Sequence, residues 1–332
     1  MKIISLQNSS KNQVLTSIVS VIKKSKSFFI AGHMRPDGDT IGSGLALASM
    51  LKRLGKKVTH CSADKIPYDL MFMNGVKKIK ITNKINGNFD CAIILESINF
   101  GRMGDVILPS QTKTIINIDH HFAHQNFGHI NYVVPTSSSV AELIYDVFVS
   151  AKMTPTKQEA ENLYIGIVTD TGRFQQLNTN ANSHLITAEL LKCGVNSSDI
   201  CKKLFLERPI SKLKLYGMAL SNLQTDINDQ FVYIKLTKDM FKKAKSNDFE
   251  ADGIINYCIS VPTAVVGCVI KEIDDKTTKV SLRSIEKFNV LSVVKQFGGG
   301  GHKNAAGCTI NENIDVATEK IIKAFKDKLS AK

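Results

Sequence analysis

The sequence predicts an α/β protein, a parallel-sheet domain with flanking helices followed by a smaller mixed α/β domain at the carboxyl end. Three observations carry this. Apolar strand-like runs alternate with helical patterns from about residue 27 to about residue 170, the order that builds a parallel sheet covered by helices. From Gln230 the pattern changes to short strands, Phe231–Leu236, Ala264–Ile270 and Lys279–Ser284 among them, closed by a helix near Ala317 to Leu329. A chain of 332 residues with 43% hydrophobic content is long enough for two cores. The boundaries read as 1–196 for the first domain, 197–225 for a helical connector with Pro209 as its main turn signal, and 226–332 for the second.

The elements follow in order. Val14–Ile22, between lysines, has the apolar spacing of an amphipathic helix, is too short to span a bilayer and lacks a small-residue cleavage pattern. A soluble, cytoplasmic protein with no membrane partner is expected. Phe28–Gly32 is a buried strand and Ile41–Leu47 starts a helix, so His33-Met-Arg-Pro-Asp-Gly-Asp39 is the loop between them. Pro36 and Gly38 break any continuous helix there, and a tight turn aims His33, Asp37 and Asp39 at one point. Such loops, at the carboxyl ends of strands, are where α/β proteins bind ligands. Asp90–Glu96 is a strand ending on a carboxylate, and Lys113–His121 one ending on Asp119-His120-His121. Ser139-Val-Ala-Glu142 is a capping-box pattern. Tyr164–Phe174 carries Asp170 at the end of an apolar stretch, and a helix near Ser183 to Cys193 stops at Gly194.

Four separate segments therefore end on acid or imidazole groups. Each alone has an ordinary explanation, since a strand-end Asp is often a helix cap and a His in a turn is usually a surface residue. Together, in this order and at element ends, they make a ligand set that suits hard or borderline divalent ions and is large enough for two. In the carboxyl-terminal part, Gly298–Gly301 followed by His302 permits close backbone approach to a phosphate, and Arg283, beside Ser284, offers a bidentate guanidinium.

The His-x-x-x-Asp-x-Asp turn at 33–39, the triplet at 119–121, Thr169-Asp-Thr-Gly-Arg-Phe174 and Gly298-Gly-Gly-Gly-His-Lys-Asn-Ala-Ala-Gly307 resemble the DHH phosphoesterase superfamily over nearly the whole chain. More narrowly, they resemble its bacterial bifunctional oligoribonuclease and 3′-phosphoadenosine-5′-phosphate phosphatase branch. The resemblance implies two bound divalent ions, manganese foremost, with magnesium or cobalt as the other candidates. It implies hydrolysis of phosphate esters on very short RNA or on 3′,5′-bisphosphonucleotides by metal-activated water. It assigns His33 and Asp37 to one ion, Asp39, His120 and Asp170 to the other, and Glu96 to the position between them. His121 would contact the phosphate or the leaving oxygen, and Asp119 would orient it. Arg283, Ser284, Gly299, Gly300, Gly301 and His302 would bind substrate on a second domain that faces the metals across a cleft.

Two positions depart from the family pattern. Glu96 stands where Asp is normal, and His124 where Asn is common. One extra methylene moves a carboxylate by about a bond length, when metal–ligand distances hold to about 0.2 Å. Two further readings accompany the first: hydrolysis of linear or cyclic di-adenosine nucleotides, which related proteins cleave and which these motifs do not separate from short RNA, and a nucleotide-binding protein whose catalysis Glu96 has impaired.

Composition agrees with an anionic substrate. The formal net charge is +13, which steers nucleotides or short RNA toward a basic surface. The absence of Trp and only 7% aromatics argue against a long groove built on base stacking, so short substrates fit better. The seven cysteines are scattered singly, with neither a disulfide framework nor thiolate metal spacing. A homodimer stays open.

Overall fold

The computed structural model describes residues 4–5, 11–122, 124–285 and 288–330. Two compact units divide after Glu207. In the first, among the described residues, seven strands form one sheet: β1 (Ile4–Ser5), β2 (Ser27–Ala31), β3 (Lys57–Ser62), β4 (Lys80–Ile81), β5 (Phe89–Leu95), β6 (Thr112–Asp119) and β7 (Ile130–Val133), in the order β1-β7-β6-β5-β2-β3-β4. Every neighbouring pair is parallel. All their carboxyl ends therefore lie along one edge.

The strand alternation sorts the two faces. Phe28, Ile30, Cys91, Ile93, Ile116 and Ile118 share a core with helices α1 (Lys11–Lys24), α2 (Gly38–Arg53), α3 (Val140–Ser150) and α4 (Lys157–Asp170). Phe29, Ala31, Ala92 and Ile94 face the other way, onto Met103, Val106 and Ile107 of the β5–β6 connection. That second face is closed largely by 3₁₀ turns and loop, which no helical period in the sequence announces. Helix α5 (Ala181–Lys192) ends at Gly194, whose φ of +91° is the left-handed value glycine adopts freely.

Residues 197–225 are less regular than the helical connector expected there. Helix α6 (Ser197–Cys201) runs into a π-helical turn at Lys202–Leu206, and α7 (Ile210–Ser221) starts only after Pro209. Leu223–Asp226 is already a strand, β8. In the second unit β8 joins β9 (Phe231–Leu236), β10 (Val266–Asp274), β11 (Thr277–Ser284), β12 (Gly300–His302) and β13 (Ala305–Ile310) in the order β12-β13-β11-β10-β9-β8. Only β9 and β10 pair in parallel, so the sheet is mixed. Its helices are α8 (Lys238–Ala244), α9 (Ile254–Ile259), α10 (Val290–Val294) and α11 (Ile314–Ser330). One sheet face packs on α10 and α11, the other on α7, α8 and α9. Among the described residues, no helix is long and apolar enough to cross a membrane.

Candidate metal centre

Adjacent strands β6, β5 and β2 place their carboxyl-terminal residues side by side. His33 follows β2 by two residues, Glu96 follows β5 directly, and His120 follows β6 directly. Backbone hydrogen bonds stitch these loops together: Glu96 N–H to the Ile118 carbonyl (2.9 Å), Gln125 N–H to Ile98 (3.0 Å) and Met34 N–H to Arg102 (2.8 Å). Asp39 enters from the first turn of α2, and Asp170 is the last residue of α4. Glycine lets these helices close in. A Cβ on Gly42 would lie 2.3 Å from the Asn162 carbonyl oxygen, and one on Gly166 2.8 Å from the Asp39 carboxylate.

Six of the expected ligands thus arrive together. The candidate ligand atoms of His33, Asp37 and Glu96 lie within 4.8 Å of one another, as do those of Asp39, His120 and Asp170. His33 Nε2 stands 3.7 Å from Asp37 Oδ2 and 3.6 Å from Glu96 Oε2. His120 Nε2 stands 3.9 Å from Glu96 Oε1 and 3.6 Å from Asp170 Oδ2. These gaps exceed hydrogen-bond length and leave space for a shared cation. His121 also comes within ligand range of Glu96 and His120.

The imidazoles are oriented by what holds their other nitrogen. His33 Nδ1 lies 2.7 Å from the Met34 carbonyl and His120 Nδ1 3.2 Å from that of Ser137. A carbonyl only accepts, so each ring carries a proton on Nδ1 and turns Nε2 toward the carboxylates. His121 Nδ1 is held likewise, 2.7 Å from Asp119 Oδ1. Asp119 is fully buried; the same oxygen accepts from the backbone of His120 (2.8 Å), while Oδ2 has no partner. Burial opposes the Asp119 carboxylate, but its bonds from His121 and the backbone keep its pKa below the ordinary value.

The carboxylates are braced as well. Asp39 Oδ2 accepts from Val140 N–H (2.6 Å), and Oδ1 from Ala141 N–H (2.8 Å) and Ser43 Oγ (3.1 Å), so it also caps α3. Asp37 Oδ1 caps α2 through Thr40 N–H (3.0 Å), leaving Oδ2 for the site. Glu96 Oε2 accepts from the Thr40 hydroxyl, and Glu96 itself sits at φ +51°, a left-handed conformation uncommon outside glycine. Burial, then Asp37 and Asp39, raise the Glu96 pKa; burial, then Asp39 and Asp37, raise that of Asp170. Without a cation these groups cannot all ionise comfortably. Oxygen and imidazole donors, crowded negative charge and pre-oriented Nε2 atoms all fit divalent metal.

Residues 27–167 match the DHH family, N-terminal domain, and residues 228–330 the DHHA1 domain. The bifunctional oligoribonuclease and PAP phosphatase NrnA of Thermus thermophilus is 31% identical over 309 residues, covering 91% of this chain and 90% of that protein. The chain belongs to the DHH family. The bifunctional oligoribonuclease and PAP phosphatase NrnA of Bacillus subtilis is similar at 26% identity, across 89% of this chain and 93% of its own. Among solved structures, an exopolyphosphatase-related protein from Bacteroides fragilis has a TM-score of 0.87 at 28% identity, covering 95% of this chain and 96% of that one. As a member of this family the chain is a phosphoesterase-type enzyme.

In the DHHA1 domain the expected substrate residues have structural work of their own. Ser284 Oγ donates to the Phe288 carbonyl (2.6 Å) and accepts from Asn304 Nδ2 (3.0 Å). A Cβ on Gly299 would lie 2.5 Å from the Gly307 carbonyl oxygen, and Gly301, at φ +137°, would place one 2.6 Å from that of Ala305. Gly300 borders open space. Arg283 is exposed and donates to Asn256 Oδ1 (3.0 Å). His302 lies in β12, and its side chain is outside the described residues.

Several supports escape a reading of the sequence. Asn178 Nδ2 donates to the carbonyls of Ser138 (2.9 Å) and Asp170 (3.1 Å), tying the last metal candidate to the α3 entry. The expected capping box is corrected. Ser139 does cap α3, but the Glu142 carboxylate accepts from Ser137 Oγ (2.8 Å), Ser138 Oγ (2.5 Å) and Asn182 Nδ2 (3.1 Å) instead of reaching back to the cap backbone. Three side-chain donors outcompete one backbone amide for it.

Proposed function

We propose that this protein is a two-metal, manganese-dependent phosphoesterase that hydrolyses very short RNA oligonucleotides to mononucleotides and removes the 3′-phosphate of 3′-phosphoadenosine-5′-phosphate. The observation that supports it most is the Glu96 carboxylate, whose two oxygens face different histidines, Oε2 toward His33 and Oε1 toward His120. One residue thereby touches both ligand groups. The names of the Thermus thermophilus and Bacillus subtilis relatives support the pair of substrates.

In this reading His33 and Asp37 would hold one ion, Asp39, His120 and Asp170 the other, and Glu96 would contribute to both. Ions bound there would make water nucleophilic at neutral pH and offset charge on the phosphoryl oxygens. His121, fixed through Nδ1 by Asp119, offers Nε2 to the phosphate or, when protonated there, a proton to the leaving oxygen. Arg283, Gly300 and His302 of the DHHA1 domain take a phosphate of the substrate, with Ser284, Gly299 and Gly301 shaping the strands that carry them.

Turnover of a diribonucleotide, of 3′-phosphoadenosine-5′-phosphate and of linear and cyclic di-adenosine nucleotides, each with saturating manganese, tests the reading. Fastest turnover of the di-adenosine compounds would transfer it to that substrate class. Tight binding of all four without hydrolysis would make this a binding protein impaired at Glu96.

A further inference from the structure

Arg102 lies in the 3₁₀ turn Phe100–Met103, six residues beyond Glu96. Its backbone is clamped on both sides: N–H donates to Asn99 Oδ1 (3.1 Å), and the carbonyl accepts from Met34 N–H (2.8 Å), one residue past His33. The side chain is half-buried, and its Nε is shielded from solvent with no hydrogen-bond partner. Among the described residues its guanidinium forms no ion pair, in contrast to Arg53, which meets Glu159 at 2.6 Å. We infer that Arg102 holds a phosphate of the substrate within the amino-terminal domain. The inference rests on the phosphate-ester function proposed above.

A guanidinium keeps its charge at any pH the protein meets, and partial burial without a counter-ion costs free energy that an arriving anion returns. Two acids of the cluster have donors of their own: Glu96 Oε2 takes the Thr40 hydroxyl and Asp37 Oδ1 the Thr40 amide. A phosphate ester offers paired oxygens matching the guanidinium fork. The doubly clamped turn fixes where the fork starts. The competing role for Arg102 is a counter-charge to the acid cluster, and the two roles part experimentally.

The manganese-loaded full-length protein and its R102A and R102K variants are compared on a 5′-phosphorylated diribonucleotide, alongside binding of its phosphorothioate-linked analogue, manganese affinity by electron paramagnetic resonance, and thermal melting. The expected result for R102A is a KM and an analogue Kd raised about tenfold or more, with manganese affinity within about twofold of the parent and R102K between the two. Unchanged KM and Kd overturn the inference. So does a fall in manganese affinity that tracks the substrate effect, because Arg102 would then serve the acids. If R102A fails to fold, R102K and R102Q decide by the same readouts. If the parent hydrolyses no phosphate ester, the proposed function fails, while the analogue's affinity for parent and variant still decides the role of Arg102.

Discussion

The acid and imidazole cluster of the first unit and the arginine and glycine segment of the second are built on opposite plans. In the cluster His33, His120 and Asp37 each have one atom tied down by protein and another left for the site, while both oxygens of Asp39 accept from protein donors. In the second segment most candidates are used up by the fold, Ser284 by two hydrogen bonds and Gly299 and Gly301 by close packing, leaving Arg283 and Gly300 outward. The first plan suits chemistry, where a small misplacement is costly. The second suits holding a substrate, where a few contacts suffice.

Asp39 carries the largest expected effect. Replacement by Ala should abolish hydrolysis and also destabilise the fold, by about 1–3 kcal/mol for each α3 amide left without an acceptor. Asp37→Ala, at an exposed position, should abolish hydrolysis at a stability cost of only about 1 kcal/mol for a lost cap. Thermal melting beside manganese titration checks both. Equal melting of the two variants would show that Asp39 does not brace α3.

Glu96 comes next. Glu96→Ala should release both ions under conditions that keep the parent loaded, while Glu96→Asp keeps charge and should retain them. Anomalous diffraction at the manganese edge reads the outcome, about 3.5–4 Å being the usual spacing of paired ions. Two undisturbed peaks in the Ala variant would remove Glu96 from the centre.

Proton linkage sharpens the contrast further. In the metal-free protein the raised values of Glu96 and Asp170 mean that the folded chain keeps protons the unfolded chain has released. Burial alone would lower the His33 value, but Asp37 and Glu96 raise it to about 10, so its contribution is complete below 6.5 and lost as pH rises through 10. His33 adds stability as pH falls from about 10 toward 6.5, and Glu96 and Asp170 add theirs only as pH falls through about 8. Below 6.5 His60 works the other way: burial holds its folded value at about 4, so the unfolded chain is protonated first and the contribution of His60 falls between those values, against the continuing gain from Glu96 and Asp170. Melting curves in chelator should show the alkaline-side slope, and saturating manganese should abolish it, since bound ions need the same groups unprotonated. Parallel curves with and without metal would contradict the shared site.

The smallest effects belong to the second unit. Arg283→Ala should raise KM about tenfold through a lost charged hydrogen bond, with melting unchanged. Gly300→Ala, facing open space, should alter stability by less than about 0.5 kcal/mol. Gly301→Ala should cost clearly more, because its φ of +137° and the Ala305 carbonyl both resist a Cβ. Equal melting of the two glycine variants would contradict the packing described.

The parallel sheet and the ligand candidates are legible in the sequence because their signals are local. Apolar runs such as Asp90–Glu96 mark strands, and acids or histidines at their ends mark loops that a parallel sheet must gather along one edge. The short strands β1, β4 and β7 carry too few residues to show a period. The partners of Glu142, Thr40 and Asn178 depend on chain segments 3 to 56 residues away, for example Thr40 with Glu96, 56 apart. Spacing alone cannot supply such pairings. The capping-box reading of Glu142 failed for that reason, as a local rule met three stronger distant or side-chain donors.

The Asp39 carboxylate gives this protein an internal gauge. Its oxygens accept from the Val140 and Ala141 amides while lying among the metal candidates, so a cation drawing on the same lone pairs polarises or lengthens those two bonds. The nitrogen and proton resonances of two main-chain positions would then report loading of the centre directly, residue by residue, in a sample that contains no nucleotide.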